Sequence, residues 1–428
     1  MFALSTEVSY LKRSVMRDLL SLATAPENIS LAGGLPASEF LPLAEYQDCL
    51  NAVLTRDGCR AMQYSPQYAP LRAWIADYMR GRGVACDERQ IFITNGAQQG
   101  LTILSRLLLD PGQPAVIESA TFTGIQQVTA GRGADVRAVP TDLQTGVDVD
   151  ALEAAFRQPP KPRLAVIIPD FHNPLGVSLS RDKRAQIAEL AARYGVPVIE
   201  DDPYSALRFA GEPLPPIKAY DEAGYVFYLG SFSKMLAPSV RLGWIVAPAD
   251  LMPRIMAIRE SIDLESSILT QAAVYEFLSR GLLEPHLARL REANRERRDT
   301  MLKALETHLG GVATWTEPEG GLFVWVTLPE KIDTWAMFQQ AVDQQVVYIP
   351  GAAFAVDGGA RNAMRLNFSS AAPAQIREGI ARLANVIYST SHLLPLSAQT
   401  SLPASGERGV NMAGISPLPE FGEGTGVG

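Results

Sequence analysis

Tyr225-Val226-Phe227-Tyr228-Leu229-Gly230-Ser231-Phe232-Ser233-Lys234 carries an apolar, strand-like run into a turn of small residues that ends on a lysine. A run apolar on both alternations marks a strand covered on both faces, as in the parallel sheets of α/β proteins. Outward from it, Ile91-Phe92-Ile93-Thr94, Ala115-Val116-Ile117, Leu164 to Ile168, Val196 to Ile199 and Leu242 to Val246 read as further short strands. Helical stretches lie between them, such as Arg181 to Tyr194 with Ile187, Leu190 and Ala191 on one face. The alternation predicts an α/β domain with a mostly parallel central sheet between helical layers.

From about Pro285 to Leu309 the pattern is one long charged helix. Strand-like runs return at Leu322 to Val326, Val346 to Ile349 and Met364 to Phe368, and a helix closes the pattern near Ala374 to Tyr388. This predicts a second, smaller α+β domain. Ser, Gly and Pro dominate beyond about Ser397, so that tail reads as disordered.

Composition excludes several function classes. The 428 residues carry a net charge of -8 with no basic block, which disfavours a nucleic-acid partner. The four histidines are scattered, and Cys49, Cys59 and Cys86 form no CxxC pair, so neither a structural zinc site nor a disulfide framework is expected. Neither a secretory signal nor an 18-residue apolar run is visible, so no membrane partner is expected and the predicted location is cytoplasmic. Only seven lysines occur in the chain, so one in an unusual setting is easy to single out.

Ligands of open α/β sheets bind beyond the carboxyl ends of the strands, so the residues there are the candidates. Asn95-Gly96-Ala97-Gln98-Gln99-Gly100 follows the first strand and opens a helix whose free N–H groups suit a phosphate; an ordinary glycine turn fits it equally well. There is no G-x-x-x-x-G-K-[ST]. Asn173-Pro174-x-Gly176 follows Ile168, either as a plain turn or as one that presents the Asn173 amide. Glu200-Asp201-Asp202 reads as an acidic loop tip after the strand ending at Ile199, with a Mg²⁺ site conceivable from the carboxylates alone. Lys234 ends the opening stretch beside Ser231 and Ser233, and Arg241 follows seven residues later. A strand-end lysine alone is a solvated charge. With two hydroxyls and a guanidinium forming a phosphate cup, and a carboxylate nearby, it describes a pyridoxal phosphate site.

The order of motifs resembles the fold-type I pyridoxal phosphate-dependent aminotransferases, in particular the branch of 2-aminoadipate and kynurenine aminotransferases. The resemblance runs from about Ser14 to Tyr388. It rests on the motifs above together with Leu31 to Pro36, Gln63-Tyr64-Ser65-Pro66, Glu200 to Tyr204 and Arg365-Leu366-Asn367-Phe368-Ser369. It implies an α/β/α large domain over residues 46–290, a small domain over 291–395, an N-terminal segment 1–45 that joins the small domain and covers the substrate, and the tail 396–428.

Position by position, the resemblance implies Lys234 as the Schiff-base lysine and Asp201 as the partner of the cofactor's ring nitrogen. Asn173 and Tyr204 would bind its phenolic oxygen. The phosphate would rest on Ala97, Gln98, Ser231, Ser233 and Arg241, with Tyr64 reaching it from the other subunit of a homodimer. Phe122 would stack on the ring, and Gly34, Asn173 and Arg365 would hold the substrate, Arg365 by its α-carboxylate. Ala97 and Phe122 stand where relatives often carry Ser and Tyr. The implied activity is ping-pong transfer of an amino group from an L-amino acid to a 2-oxo acid, with 2-oxoglutarate as the expected acceptor. A lyase or decarboxylase built on the same cofactor is the alternative. An effector-binding domain of a transcription regulator is less favoured, because only about thirty residues precede Gly33-Gly34, too few for a helix-turn-helix module.

Overall fold

The computed structural model describes residues 27–391, together with Phe2, residues 5–11, Leu19 and Ala25. The expected helix at Ser14 to Leu22, apart from Leu19, and the predicted disordered tail fall outside these residues.

Seven strands form the central sheet: β1 (Ile91–Thr94), β2 (Pro114–Glu118), β3 (Asp135–Val139), β4 (Leu164–Ile167), β5 (Val198–Asp202), β6 (Val226–Ser231) and β7 (Gly243–Val246). Their order is β1-β7-β6-β5-β4-β2-β3. The run β6-β5-β4-β2-β3 is parallel, while β7 is antiparallel to both β1 and β6. Every residue of β1, β2, β4, β5, β6 and β7 is buried, as the apolar runs predict for a sheet covered on both faces. The edge strand β3 escapes sequence reading because its polar residues sit on a half-exposed border.

Helix α1 (Ala97–Leu108) contributes to one apolar cluster, and α2 (Arg181–Tyr194) to another that shares Val116, Ala165, Val198 and Val226 of the sheet. Ser180 caps α2 by accepting from Lys183 N–H, and Gly195 in the left-handed conformation closes it.

A second sheet of four strands has the order β8 (Thr314–Trp315), β9 (Phe323–Thr327), β11 (Ala363–Asn367), β10 (Ile349–Pro350), all antiparallel. It packs with α3 (Leu283–Leu309) and α4 (Pro373–Ser391) in a separate apolar cluster that also takes in Leu31 and Ala32. The expected strand from Val346 to Ile349 divides at Tyr348. Val346–Val347 pairs in parallel with Ile29–Ser30, and Ile349–Pro350 joins the four-stranded sheet.

One expectation is overturned. Glu200, Asp201 and Asp202 are not a loop tip; they complete β5 and are buried. Partners make this tolerable for two of them. Glu200 accepts from the N–H groups of Ile217 (2.7 Å) and Lys218 (2.8 Å). Asp202 accepts from Arg82 (2.9 Å), the Tyr228 hydroxyl (2.9 Å) and Ser205 N–H (2.9 Å).

Candidate functional site

The carboxyl ends of β4, β5 and β6 bring Asn173, Asp201, Tyr204 and Lys234 to one end of the large sheet, and β11 of the other sheet supplies Arg365. Asn173 is the hub. Its Nδ2 donates to the Tyr204 hydroxyl (3.3 Å), and its Oδ1 accepts from Arg365 Nη1 (2.8 Å). Arg365 is 1% exposed, and its Nη2 donates to the Ala32 carbonyl (2.6 Å). The guanidinium lies 4.2 Å from the Phe323 ring centroid and 4.8 Å from that of Phe354. Aromatic faces hold a planar cation in place without consuming its hydrogen-bond donors.

Lys234 lies in the single turn Phe232–Met235 after β6, and its Nζ donates to the Gly34 carbonyl (2.5 Å). Burial pushes its amine down to about 8, with the Arg365 and Arg241 charges adding to the effect. Gly34 is positioned by packing: a Cβ there would come within 2.9 Å of Phe323. Phe323 in turn meets the Tyr204 ring edge-on at 5.8 Å. Gly34, Asn173, Tyr204, Lys234 and Arg365 thus form one connected group.

Asp201 is 3% exposed, and its Oδ1 has no hydrogen-bond partner. Burial, followed by the charges of Asp202 and Glu118, pushes its carboxyl up to about 7. A buried carboxylate with an idle oxygen calls for a cationic donor.

A third element is an anion cradle. Arg241, itself in the left-handed conformation (φ 49°), donates to the Asn95 carbonyl (3.1 Å) next to the first residues of α1. Gly96 (φ +80°) is required at this approach, since a Cβ would stand 2.7 Å from Arg241 Nη2. Ser231 Oγ accepts from Ser233 N–H (3.1 Å) at the start of the Lys234 turn. The N–H groups of Ala97 and Gln98 occupy the first turn of α1, where no intrahelical carbonyl reaches them. Phe122 caps the helix Thr123–Ala130, and its ring and the Gln98 side chain both close on the space where a Cβ of Gly124 would be.

Tyr64 stands apart from the group, 82% exposed. Phe323, Phe354 and the Ala32 carbonyl are contacts of Arg365 that sequence reading does not reveal: the pairing of β9 with β11 brings Phe323, while Phe354 and Ala32 arrive from other segments distant in sequence. His172 also acquires a definite place: its Nε2 lies 3.0 Å from Glu118 Oε2, both side chains being buried. The Mg²⁺ reading of the acidic triplet does not survive, since successive side chains of a strand turn to opposite faces. Among the described residues no three His, Cys, Asp or Glu side chains are grouped to hold a metal ion.

The residues fit pyridoxal phosphate: an idle buried carboxylate for a protonated ring nitrogen, an amine of lowered proton affinity, and an arginine-helix cradle for a phosphate. Comparison with known proteins agrees. The family model "Aminotransferase class I and II" matches residues 43–383. Aromatic-amino-acid aminotransferase 1 of Thermococcus litoralis is 39% identical over 88% of this chain and 92% of its own length. The 2-aminoadipate transaminase of Thermus thermophilus is 35% identical over 88% of this chain and 94% of its own. The crystal structure of Pyrococcus horikoshii kynurenine aminotransferase superposes with a TM-score of 0.86 at 36% identity, covering 91% of this chain and 97% of that one. On this footing the chain belongs to the class I and II aminotransferases, which use pyridoxal phosphate to move an amino group from an amino acid to a 2-oxo acid.

Proposed function

We propose that Lys234, Asp201, Asn173, Tyr204 and Arg365 carry the transfer, with 2-oxoglutarate as the amino acceptor. The observation that carries this reading is the Asn173 amide, which joins a cofactor-side hydroxyl (Tyr204) to a substrate-side cation (Arg365). Pyridoxal phosphate, when bound, supplies a ring that accepts the electron pair left on the amino acid's α-carbon. Asp201 holds the proton on the ring nitrogen. Arg241, Ser231, Ser233 and the N–H groups of Ala97 and Gln98 hold the phosphate, and Phe122 covers the ring.

Arg365 binds the substrate α-carboxylate. Its partners Asn173 Oδ1 and Ala32 O are neutral, and a carboxylate is the stronger acceptor. Lys234 would hold the cofactor, and its Nζ would take the proton from the substrate α-carbon and give it back as the transfer completes. With its amine near 8, an appreciable fraction is neutral at physiological pH.

Separate apolar clusters on the two sheets support a large domain at 46–290 and a small domain at 291–395, the cluster of the latter taking in Leu31 and Ala32 of the segment 1–45. The exposure of Tyr64, with Met62 and Leu264 also exposed, supports a homodimer in which Tyr64 reaches the partner's phosphate. None of the described helices is long and apolar enough to cross a membrane, and a cytoplasmic location suits this reading.

The test is a half-reaction screen. The protein loaded with cofactor is mixed with each amino acid in turn while the cofactor absorbance is followed, and the product form is then challenged with 2-oxoglutarate. Lys234→Ala keeps the fold and loses the visible band and turnover. Full turnover by that variant would sink the assignment.

A further inference from the structure

A cavity of about 700 Å³ lies between α3 and the segment 205–214, and none of the residues assigned above lines it. It stands back to back with the cofactor site. Asp201 and Asp202 turn to opposite faces of β5, and Asp202 pairs with Arg82 in the cavity wall. Tyr204 is followed by Ser205, and Asp170 stands three residues before Asn173; Ser205 and Asp170 both line the cavity. The same short segments therefore wall both spaces.

The cavity wall is charged and partly apolar. Arg82, Arg208, Arg291 and Arg295 line it with Asp170, Glu284 and Glu292, and the carboxylates of Asp202 and Glu319 pair with the first two arginines. The inner arginines are committed: Arg82 to Asp202 (2.9 Å), and Arg208 to Asp170 (3.3 Å) and Glu319 (2.7 Å). The outer two are less tightly held, although Arg291 Nε donates to the Ala206 carbonyl (2.8 Å). Arg291 and Arg295 are four residues apart on α3, so they share a helix face. Their carboxylate partners, Glu284 and Glu292, have side chains 71% and 67% exposed. Such pairs contribute little and yield readily to a better-placed anion. Tyr78, Phe209, Leu214 and Ala288 add flat and apolar groups to the wall. A volume in the range of small-molecule sites, an apolar wall and two recruitable guanidinium groups define a ligand class.

We propose that this cavity is a second ligand site, taking a small organic anion with a flat apolar body whose carboxylate or phosphate is held by Arg291 and Arg295. The ligand lies against Ser205 and the Arg82–Asp202 pair, behind the strand end that carries Asp201.

The test uses the cofactor-loaded enzyme in calorimetric titrations with 2-naphthoate and with 2-naphthyl phosphate, which separate the two kinds of anion. Inorganic phosphate controls for the charged group alone. One site per chain is expected in addition to any binding at Arg365. R291A/R295A raises the dissociation constant of that site about tenfold or more and leaves KM for the amino donor unchanged. E284Q/E292Q, which removes the competing carboxylates, tightens it. Identical binding by wild type and R291A/R295A overturns the proposal. So does crystal density for naphthoate at Arg365 alone, and so does inorganic phosphate binding as tightly as the naphthyl ligands.

Discussion

Asn173 Oδ1 and Arg365 Nη1 are 2.8 Å apart in a fully enclosed setting, one residue delivered by the large sheet and the other by the small one. The contact spans 192 positions of sequence, and it makes the orientation of one amide a condition of both halves of the site.

Asn173→Ala removes the acceptor for Arg365 and the donor to Tyr204 together. A fall in kcat/KM of about 10²-fold is expected, corresponding to two lost hydrogen bonds, one of them to a charged group. Asn173→Asp keeps the shape and replaces the amide donor with a carboxylate, which would form an ion pair with Arg365 and compete with the substrate carboxylate. KM should therefore rise more than kcat falls, as steady-state kinetics on both variants will show.

Arg365→Lys retains a charge and loses the planar fork stacked between Phe323 and Phe354. KM for the amino donor should rise about tenfold or more while cofactor affinity stays unchanged. Cofactor binding is read separately by titrating the cofactor-free protein with pyridoxal phosphate.

The pH dependence of the cofactor-free protein follows from its shifted buried groups, among them Glu200, which burial raises to about 7 like its neighbour Asp201. Asp201 is raised to about 7, so between its unfolded value near 4 and pH 7 the folded state binds more protons than the unfolded one, and stability falls as pH rises. Lys234 is lowered to about 8, so between pH 8 and its unfolded value near 10.5 the unfolded state binds more protons, and stability rises with pH. Asp201→Asn should reduce the first slope to the part that Glu200 contributes and raise stability at pH 8 by about 2–4 kcal/mol, while abolishing transfer. Thermal melts across pH 4–10 would show both slopes. A variant no more stable than wild type at pH 8 would contradict the burial argument.

Gly96→Ala places a methyl group against the Arg241 guanidinium and forces a positive φ on a residue with a Cβ. Cofactor affinity should drop about tenfold or more, with stability lowered by about 1 kcal/mol or more. Equilibrium dialysis and a melt separate the two effects.

Much of the fold is legible in the sequence. Lys234 stood out because a long apolar run ends at it and two serines flank it, and Arg181 to Tyr194 is helical over those very residues. The acidic triplet was misplaced by local reasoning. Three carboxylates look like a turn, and only the long-range partners Arg82, Tyr228, Ile217 and Lys218 make them acceptable as the end of a strand. The ring pair around Arg365 was invisible for a similar reason. Phe323 pairs in register with Asn367 and brings its ring to the arginine two residues earlier, a relation that no local spacing encodes.

The antiparallel placement of β7 beside β6 has a further effect. Lys234 and Arg241 lie on the single connection that reverses the chain between these strands, and Phe232 N–H donates to the Leu242 carbonyl (3.0 Å) across its base. The connection acts as a ruler, setting by chain length alone the reach from the proposed tethering amine to the proposed phosphate anchor. One residue inserted between Leu236 and Val240 would leave every functional group present and put the two ends of the cofactor out of step.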